Sequence, residues 1–327
     1  AAVSQRGCAI QYAYKQFKSD REIVLAAFIN WHHQQSSPMY LPANLKSDRD
    51  FFLAAVRQNG RIIKCLSKEL KSDREIVLTA VMNDNDTCSG SYYDGIALKY
   101  ADKKFRSDRE IVLAAVSQLG SALQFADKKF KSDREIILAA VSQDGTALQF
   151  ADKELKSDRE IVLAAVMNEH DNPNDSDYDG IALKYANKKF KSDREIVLTA
   201  VSERGDALKY ANKKFKSDRE IVLAAVRSDT YFTVMRQGNS LQYADKELMY
   251  DMEIIFASFE SNPKGLKWLH KWTEFKINEK IIRELRKKFG EKLIKKHLSV
   301  DEKDLLYCPE DTERYINLIQ LREMMKR

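Results

Sequence analysis

Residues 156–166 read "KSDREIVLAAV", and no feature constrains the fold more than the recurrence of this stretch along the chain. The Ser of each Ser-Asp-Arg core falls at Ser19, Ser47, Ser72, Ser107, Ser132, Ser157, Ser192 and Ser217, at successive spacings of 28, 25, 35, 25, 25, 35 and 25. A worn ninth copy, "LMYDMEIIFAS", begins at Leu248. So short a period marks an array in which each unit packs on its neighbours, and the 327 residues cannot be divided into domains by length alone. The two spacings of 35 arise from ten extra residues ahead of "DGIALKY" at Asp94 and Asp179. The offset of 85 between those insertions also separates Ser107 from Ser192, as duplication of a three-repeat block would produce. "AAVSQRG" at residues 1–7 matches the end of a unit, so the sequence reads as a fragment that opens inside a repeat.

Within one unit, Leu148, Ala151 and Leu155 stand at i, i+3 and i+7, a helical stripe. Ser157, with Glu160 three residues on, predicts a capping box, in which each cap contributes about 1 kcal/mol. Asp158 adds negative charge where the helix dipole is positive. The helix is expected to stop near Asn168 or, in other copies, at Gln143 with Gly145 as the stop signal. A repeat is then two helices of about ten residues, too short to be stable alone in water. Ile161 to Val166 run without a polar break, which predicts a helix buried all round by the flanking repeats. Such a run is far too short to span a bilayer. The expected fold is all-α: an α-solenoid of about nine helical-hairpin copies of some 25 residues with two ten-residue insertions, residues 1–260, then a C-terminal helical cap, residues 261–327.

"ALKYADKKFRSDREIVLAAV" at residues 97–116 resembles the tandem repeats of the domain of unknown function 4116. The Ser-Asp-Arg-Glu motif, the Ala-rich apolar run and the short period carry the resemblance, which extends from residue 1 to about residue 260. It implies a helical repeat architecture and no reaction or ligand. The second copy, with "WHHQQSSPMYLP" from Trp31, and the worn ninth copy depart from the pattern.

Arg21, Arg49, Arg74, Arg109, Arg134, Arg159, Arg194 and Arg219 are expected at the N2 position of the second helices, where a cation opposes the dipole. Two readings follow: a ladder of ion pairs with Asp or Glu of the same or an adjacent repeat, or a row of guanidinium groups meeting phosphates or acidic side chains. Lys and Arg number 38 in residues 1–260, and so do Asp and Glu, whereas a dedicated nucleic-acid surface is more basic. The net charge of +6 therefore lies in residues 261–327. There, Trp268, Trp272 and Phe275 stand at i, i+4 and i+7, followed by Ile281, Leu285, Phe289 and Leu293 among basic residues that include Lys287 and Lys288. This amphipathic segment either closes the array or docks residues 264–297 on an acidic partner, nucleic acid or an anionic membrane.

Asp175, Asp177 and Asp179 ahead of Gly180 resemble a calcium loop, but Ala186 stands where a bidentate Glu is needed, so a solvated acidic loop is expected. His32 and His33 lack partners at ligand spacing, and no metal site is expected. Cys8, Cys65, Cys88 and Cys308 form no close pair, which fits a reducing intracellular compartment, the cytoplasm first. Without a phosphate-binding glycine loop, nucleophile elbow or triad pattern, the expectation is no enzyme activity and no cofactor. Positions that differ among copies are the candidate partner contacts: Arg6, Leu119, Asp144 and Arg204 before the Gly, and Cys8, Ser121, Thr146 and Asp206 after it. The expected function is a repeat scaffold that binds a protein partner; the alternatives are a nucleic-acid or anionic-surface binder and the repeat arm of a larger enzyme.

Overall fold

The computed structural model describes residues 7–18, 20–29, 45, 47–84, 97–169, 182–229, 239–262, 265 and 279–298. The chain divides into two compact units, Ala1–Asp177 and Tyr178–Arg327. The first holds the long helices α1 (Arg21–Ile29), α2 (Arg49–Gln58), α3 (Arg74–Met82), α4 (Arg109–Gln118), α5 (Arg134–Gln143) and α6 (Arg159–Met167). The second holds α7 (Arg194–Glu203), α8 (Arg219–Arg227), α9 (Met252–Ser261), α10 (Glu279–Phe289) and α11 (Glu291–Leu298). Among the described residues there is no strand, and within each unit successive long helices pack side by side as an all-α solenoid.

The cap of each repeat's long helix, α1 to α9, is the Asp, one residue later than the capping box predicts. Asp158 is extended, and its Oδ1 accepts from the amides of Glu160 at 2.9 Å and Ile161 at 3.2 Å. Asp73, Asp108, Asp133, Asp193, Asp218 and Asp251 cap their helices in the same way. The arginines are thus at N1 rather than N2. A full negative charge at the helix N-terminus serves the free amides and the dipole better than a neutral hydroxyl.

The first half of the repeat is two short turns rather than one ten-residue helix. Gly145–Phe150 is a 3-10 helix, Ala151 is extended, and a second 3-10 turn follows at Leu155–Ser157. What breaks the stripe is the Asp or Asn after the Ala: Asp102, Asp127 and Asn212 accept from the amides of Lys104, Lys129 and Lys214 at 3.0, 3.1 and 3.2 Å. A short polar side chain that takes a nearby amide competes with helix continuation.

Burial of the long helix is also one-sided. Ile161, Val162, Ala165 and Val166 are buried, whereas Leu163 and Ala164 are half-buried and Met167 is exposed. The glycine acts by close approach and not as a left-handed stop. A Cβ on Gly145 would lie 2.0 Å from the Ala165 carbonyl oxygen, and one on Gly60 2.0 Å from that of Ala80. The amides of Gly145 and Gly60 instead donate to the carbonyls of Asn168 at 3.0 Å and Asn83 at 2.9 Å. The first turn is thereby sewn to the end of the long helix that follows it.

Repeats with extra residues keep this junction by another route. In uninterrupted copies the amide of Ala122 or Ala147 donates to the carbonyl three residues earlier, at 2.9 Å in both cases. In longer copies the equivalent amides, of Ala97 and Ser240, donate to the buried carboxylates of Asp84 and Asp229 across the insertion. Glu169 is buried at the corresponding place. At the far end, Phe289 of α10 packs on Phe256 and Phe259 of α9, with ring centroids 5.9 and 4.9 Å apart, and Lys288 pairs with Glu260 at 2.8 Å. Ile281, Ile282 and Leu285 are buried, so α10 covers the last repeat with its apolar side.

Candidate interaction face

The Arg that begins each of α1 to α5, α7 and α8 reaches forward to the next long helix of its unit. Arg49 Nε lies 2.7 Å from Asp73 and its Nη2 2.6 Å from Glu75. Arg109 meets Asp133 at 3.1 Å and Glu135 at 2.5 Å, while Arg74 and Arg134 engage Asp108 with Glu110 and Asp158 with Glu160. In the second unit, Arg194 engages Asp218 and Glu220, and Arg219 engages Asp251 and Glu253. These residues form the ion-pair ladder and not a row of free guanidinium groups. Bonding from the guanidinium of Arg49 holds the Asp73 carboxyl below the usual carboxylate range, and Arg219 does the same to Asp251. The arginines remain about half exposed, so each pair is modest in energy.

Sequence reasoning missed a second forward link. Ser72 Oγ donates to Asp102 at 2.7 Å, Ser107 to Asp127 at 2.9 Å, and Ser132 to Asp152; in the second unit Ser217 donates to Asp245. Where an Asn replaces the Asp, the bond reverses, and Asn212 Nδ2 donates to Ser192 Oγ at 2.9 Å. The amide of the same Asp or Asn donates to the preceding repeat, as Asp127 does to the Arg106 carbonyl at 2.8 Å. A third link is internal: Lys156 Nζ donates to the Gln149 carbonyl at 2.7 Å, and Lys191 to that of Lys184 at 2.7 Å, with burial pushing both ammonium groups down. The only signal for these bonds was the regular recurrence of Asp or Asn ahead of the Lys pair.

With the carboxylates of the helix starts engaged, the long helices turn an apolar strip outward. In the first unit it comprises Leu78, Thr79 and Met82, then Leu113 and Ala114, Leu138 and Ala139, and Leu163, Ala164 and Met167. The i, i+1, i+4 spacing puts each set on one helix side. The Leu, Ala and Thr members are half-buried; Met82 and Met167 are 55% and 59% exposed.

The candidate contacts chosen from copy-to-copy variation lie elsewhere. Leu119, Asp144 and Arg204 occupy the extended residue between long helix and Gly. Asp144 accepts from the amide and hydroxyl of Thr146 at 2.9 and 2.6 Å. Arg204 is clamped on buried Asp206 at 2.8 Å, and Leu119 is half-buried without a side-chain cap. Lys287 pairs with Glu284 at 3.1 Å, and Lys288 lies over the Phe256 ring as well as against Glu260. Arg6, Trp268, Trp272, His32, His33 and the Asp175–Asp179 loop lie outside the described residues. Among the described residues no cluster of His, Cys, Asp and Glu could hold a metal, and no helix is long and apolar enough to cross a membrane.

Stacked helix-and-turn units joined by forward links define a tandem α-helical repeat protein. The family described as "Domain of unknown function (DUF4116)" matches residues 1–31, 35–71, 48–94, 91–131, 133–172, 177–216 and 193–233, and the chain belongs to it. No curated protein and no solved structure matches the chain. The family matches stop at residue 233, yet α9 beyond it keeps the Asp251 cap and the Asp251 and Glu253 partners of Arg219.

Proposed function

We propose that the chain is a non-catalytic scaffold that binds a protein partner along the outward strip of its long helices. The observation that carries this reading is the recurrence of Leu with Ala or Thr at the same place on α3, α4, α5 and α6, half-buried each time. A strip that repeats with the period of the array can take an extended or helical segment across several units, a mode of recognition that needs apolar anchors rather than one pocket. The carboxylates and arginines beside the strip are tied to one another, so they orient the helices and leave apolar contact to the Leu and Met side chains.

The test is site-specific photo-crosslinking in cells from positions 142 and 167. A partner trapped there should be lost when Leu113, Leu138 and Leu163 are changed together to Gln in a chain whose helicity is unchanged. Retention of the partner by that variant overturns the reading. Nucleic-acid binding that falls steeply with salt and disappears on deletion of residues 264–297 would favour the basic-segment alternative instead.

A further inference from the structure

The even charge count of residues 1–260 averages unlike parts. Residues 97–169 carry 12 basic and 12 acidic side chains, whereas residues 182–229 carry 12 and 7. The surplus lies in the short turns of the second unit. Residues 182–192 and 205–217 hold four lysines each, and their single carboxylate, Asp206, is buried and clamped by Arg204 at 2.8 Å. Three exchanges coincide there. Residues 122–127 and 147–152 read Ala-Leu-Gln-Phe-Ala-Asp, whereas residues 182–187 and 207–212 read Ala-Leu-Lys-Tyr-Ala-Asn. Lys99 and Tyr100 also replace Gln and Phe, but beside Asp102. The fold does not need that carboxylate. Asn212 takes the Lys214 amide at 3.2 Å as Asp127 takes that of Lys129 at 3.1 Å, and the serine link survives with its donor reversed. What the exchange alters is charge. The Lys129 amide and the Ser107 hydroxyl hold the Asp127 carboxyl below the usual range, so it stays ionised among its lysines, whereas Asn212 offsets none of them.

Stacking brings the lysines of the two turns onto one face. The Asn212 amide donates to the Lys191 carbonyl at 2.8 Å and the Asp245 amide to that of Lys216 at 2.9 Å, so successive turns lie side by side. Lys189 and Lys214 rest over Phe190 and Phe215 at 4.7 and 4.6 Å, the same pose one repeat apart. Lys191 and Lys216 direct their Nζ at the carbonyls of Lys184 and Lys209, at 2.7 and 3.1 Å, while Lys188, Lys189, Lys209, Lys213 and Lys214 are exposed. Tyr185 and Tyr210 are part-exposed among them, with the Lys184 and Lys209 ammonium groups 5.2 and 5.3 Å from their rings.

We propose that this lysine and tyrosine face of the second unit binds single-stranded nucleic acid through its phosphates. Protein interfaces are poor in Lys and anchored by Arg and aromatic residues, and the first-turn arginines here are held in the ladder. A lipid surface is met by apolar insertion together with charge, and among the described residues no large hydrophobic side chain of 182–229 is exposed. Lys is a point charge suited to phosphate. Part-exposed rings at the repeat period give unpaired bases a surface to stack on, which the paired bases of a duplex do not use.

The probe is a mixed-sequence RNA strand of about 20 nucleotides, titrated with the full chain over a range of salt. N187D/N212D restores the carboxylate that Asp102 and Asp127 show to be compatible with the turn, and should weaken binding about tenfold at low salt. K188Q/K189Q/K213Q/K214Q should lose more, and should flatten the slope of log affinity against log salt by about 0.7 per lysine engaged. K103Q/K104Q/K128Q/K129Q, the same exchange in the first unit, should lose far less, and K287Q/K288Q should bind as the parent does. N187D/N212D decides the matter if the fourfold variant loses helicity. No binding by the parent, unchanged affinity in N187D/N212D, or equal loss in the first-unit variant overturns the proposal. So does equal affinity for a duplex of the same sequence, or tighter binding to phosphatidylserine vesicles than to the RNA.

Discussion

α5 and α9 begin alike and end their obligations differently. α5 opens with Ser132, Asp133, Arg134 and Glu135, whose Ser and Arg reach forward to Asp152 and to Asp158 with Glu160, and α9 opens with Tyr250, Asp251, Met252 and Glu253. The two receiving groups survive in α9; the two groups that reach forward do not. In the final repeat the retained carboxylates still hold Arg219, and the lost Ser and Arg have no following repeat to meet, since α10 packs there with a different, aromatic contact. The repeat motif therefore carries two kinds of information, one read by the unit before it and one by the unit after. Decay at the end of the array removed only the second kind.

The largest test of this comparison concerns burial. Ile136→Ala should cost about 2–5 kcal/mol of local stability, and Ile23→Ala distinctly less, because Ile23 is already part-exposed. Amide exchange of the two helices reads the difference, and equal losses would erase the contrast between a covered and a part-exposed position. Next comes Gly145→Ala, expected to cost about 1–3 kcal/mol by overpacking against the Ala165 carbonyl; denaturation that leaves it unchanged would refute the close-approach role. Asp158→Ala should then cost about 1 kcal/mol, and Ser157→Ala less, an order that the capping-box assignment reverses. Arg219→Ala should lower stability by about 0.2–1 kcal/mol, whereas Met252→Arg should do nothing measurable, and a gain there would mean the final repeat still has a forward partner.

The smallest effect is the acid limb of the stability curve. Asp73 and Asp251 have their folded pKa values lowered, so their contribution is complete above the unfolded carboxylate value, about 3.9. It is lost as pH falls through the lower folded value. Asp251→Asn should flatten that limb in an acid titration of α9 stability, and added salt should shrink it in the parent chain.

The long helix was legible because an apolar run bounded by cap and Gly admits little else. The cap itself was misplaced by one residue, since Ser and Asp are both good caps, stand side by side, and Glu160 satisfies the box from Ser157. The stripe of Leu148, Ala151 and Leu155 hid a break because two 3-10 turns with an extended residue between them also bury those side chains or nearly so. Ladder direction is invisible in a period, which is the same read forwards or backwards; only the worn copy at Leu248 holds the clue. Variation among copies pointed to Asp144 and Arg204, whose side chains serve their own turns, because a loop side chain can vary when each version finds a local partner.

The carboxylates of Asp84 and Asp229 separate the length of a connection from the spacing of the stack. An amide that in short copies depends on a carbonyl three residues away is satisfied across a long detour, so the array can accept new sequence at one fixed point without disturbing its lattice. That makes the junction ahead of the first turn the place where foreign segments can be displayed on this chain at the least structural cost.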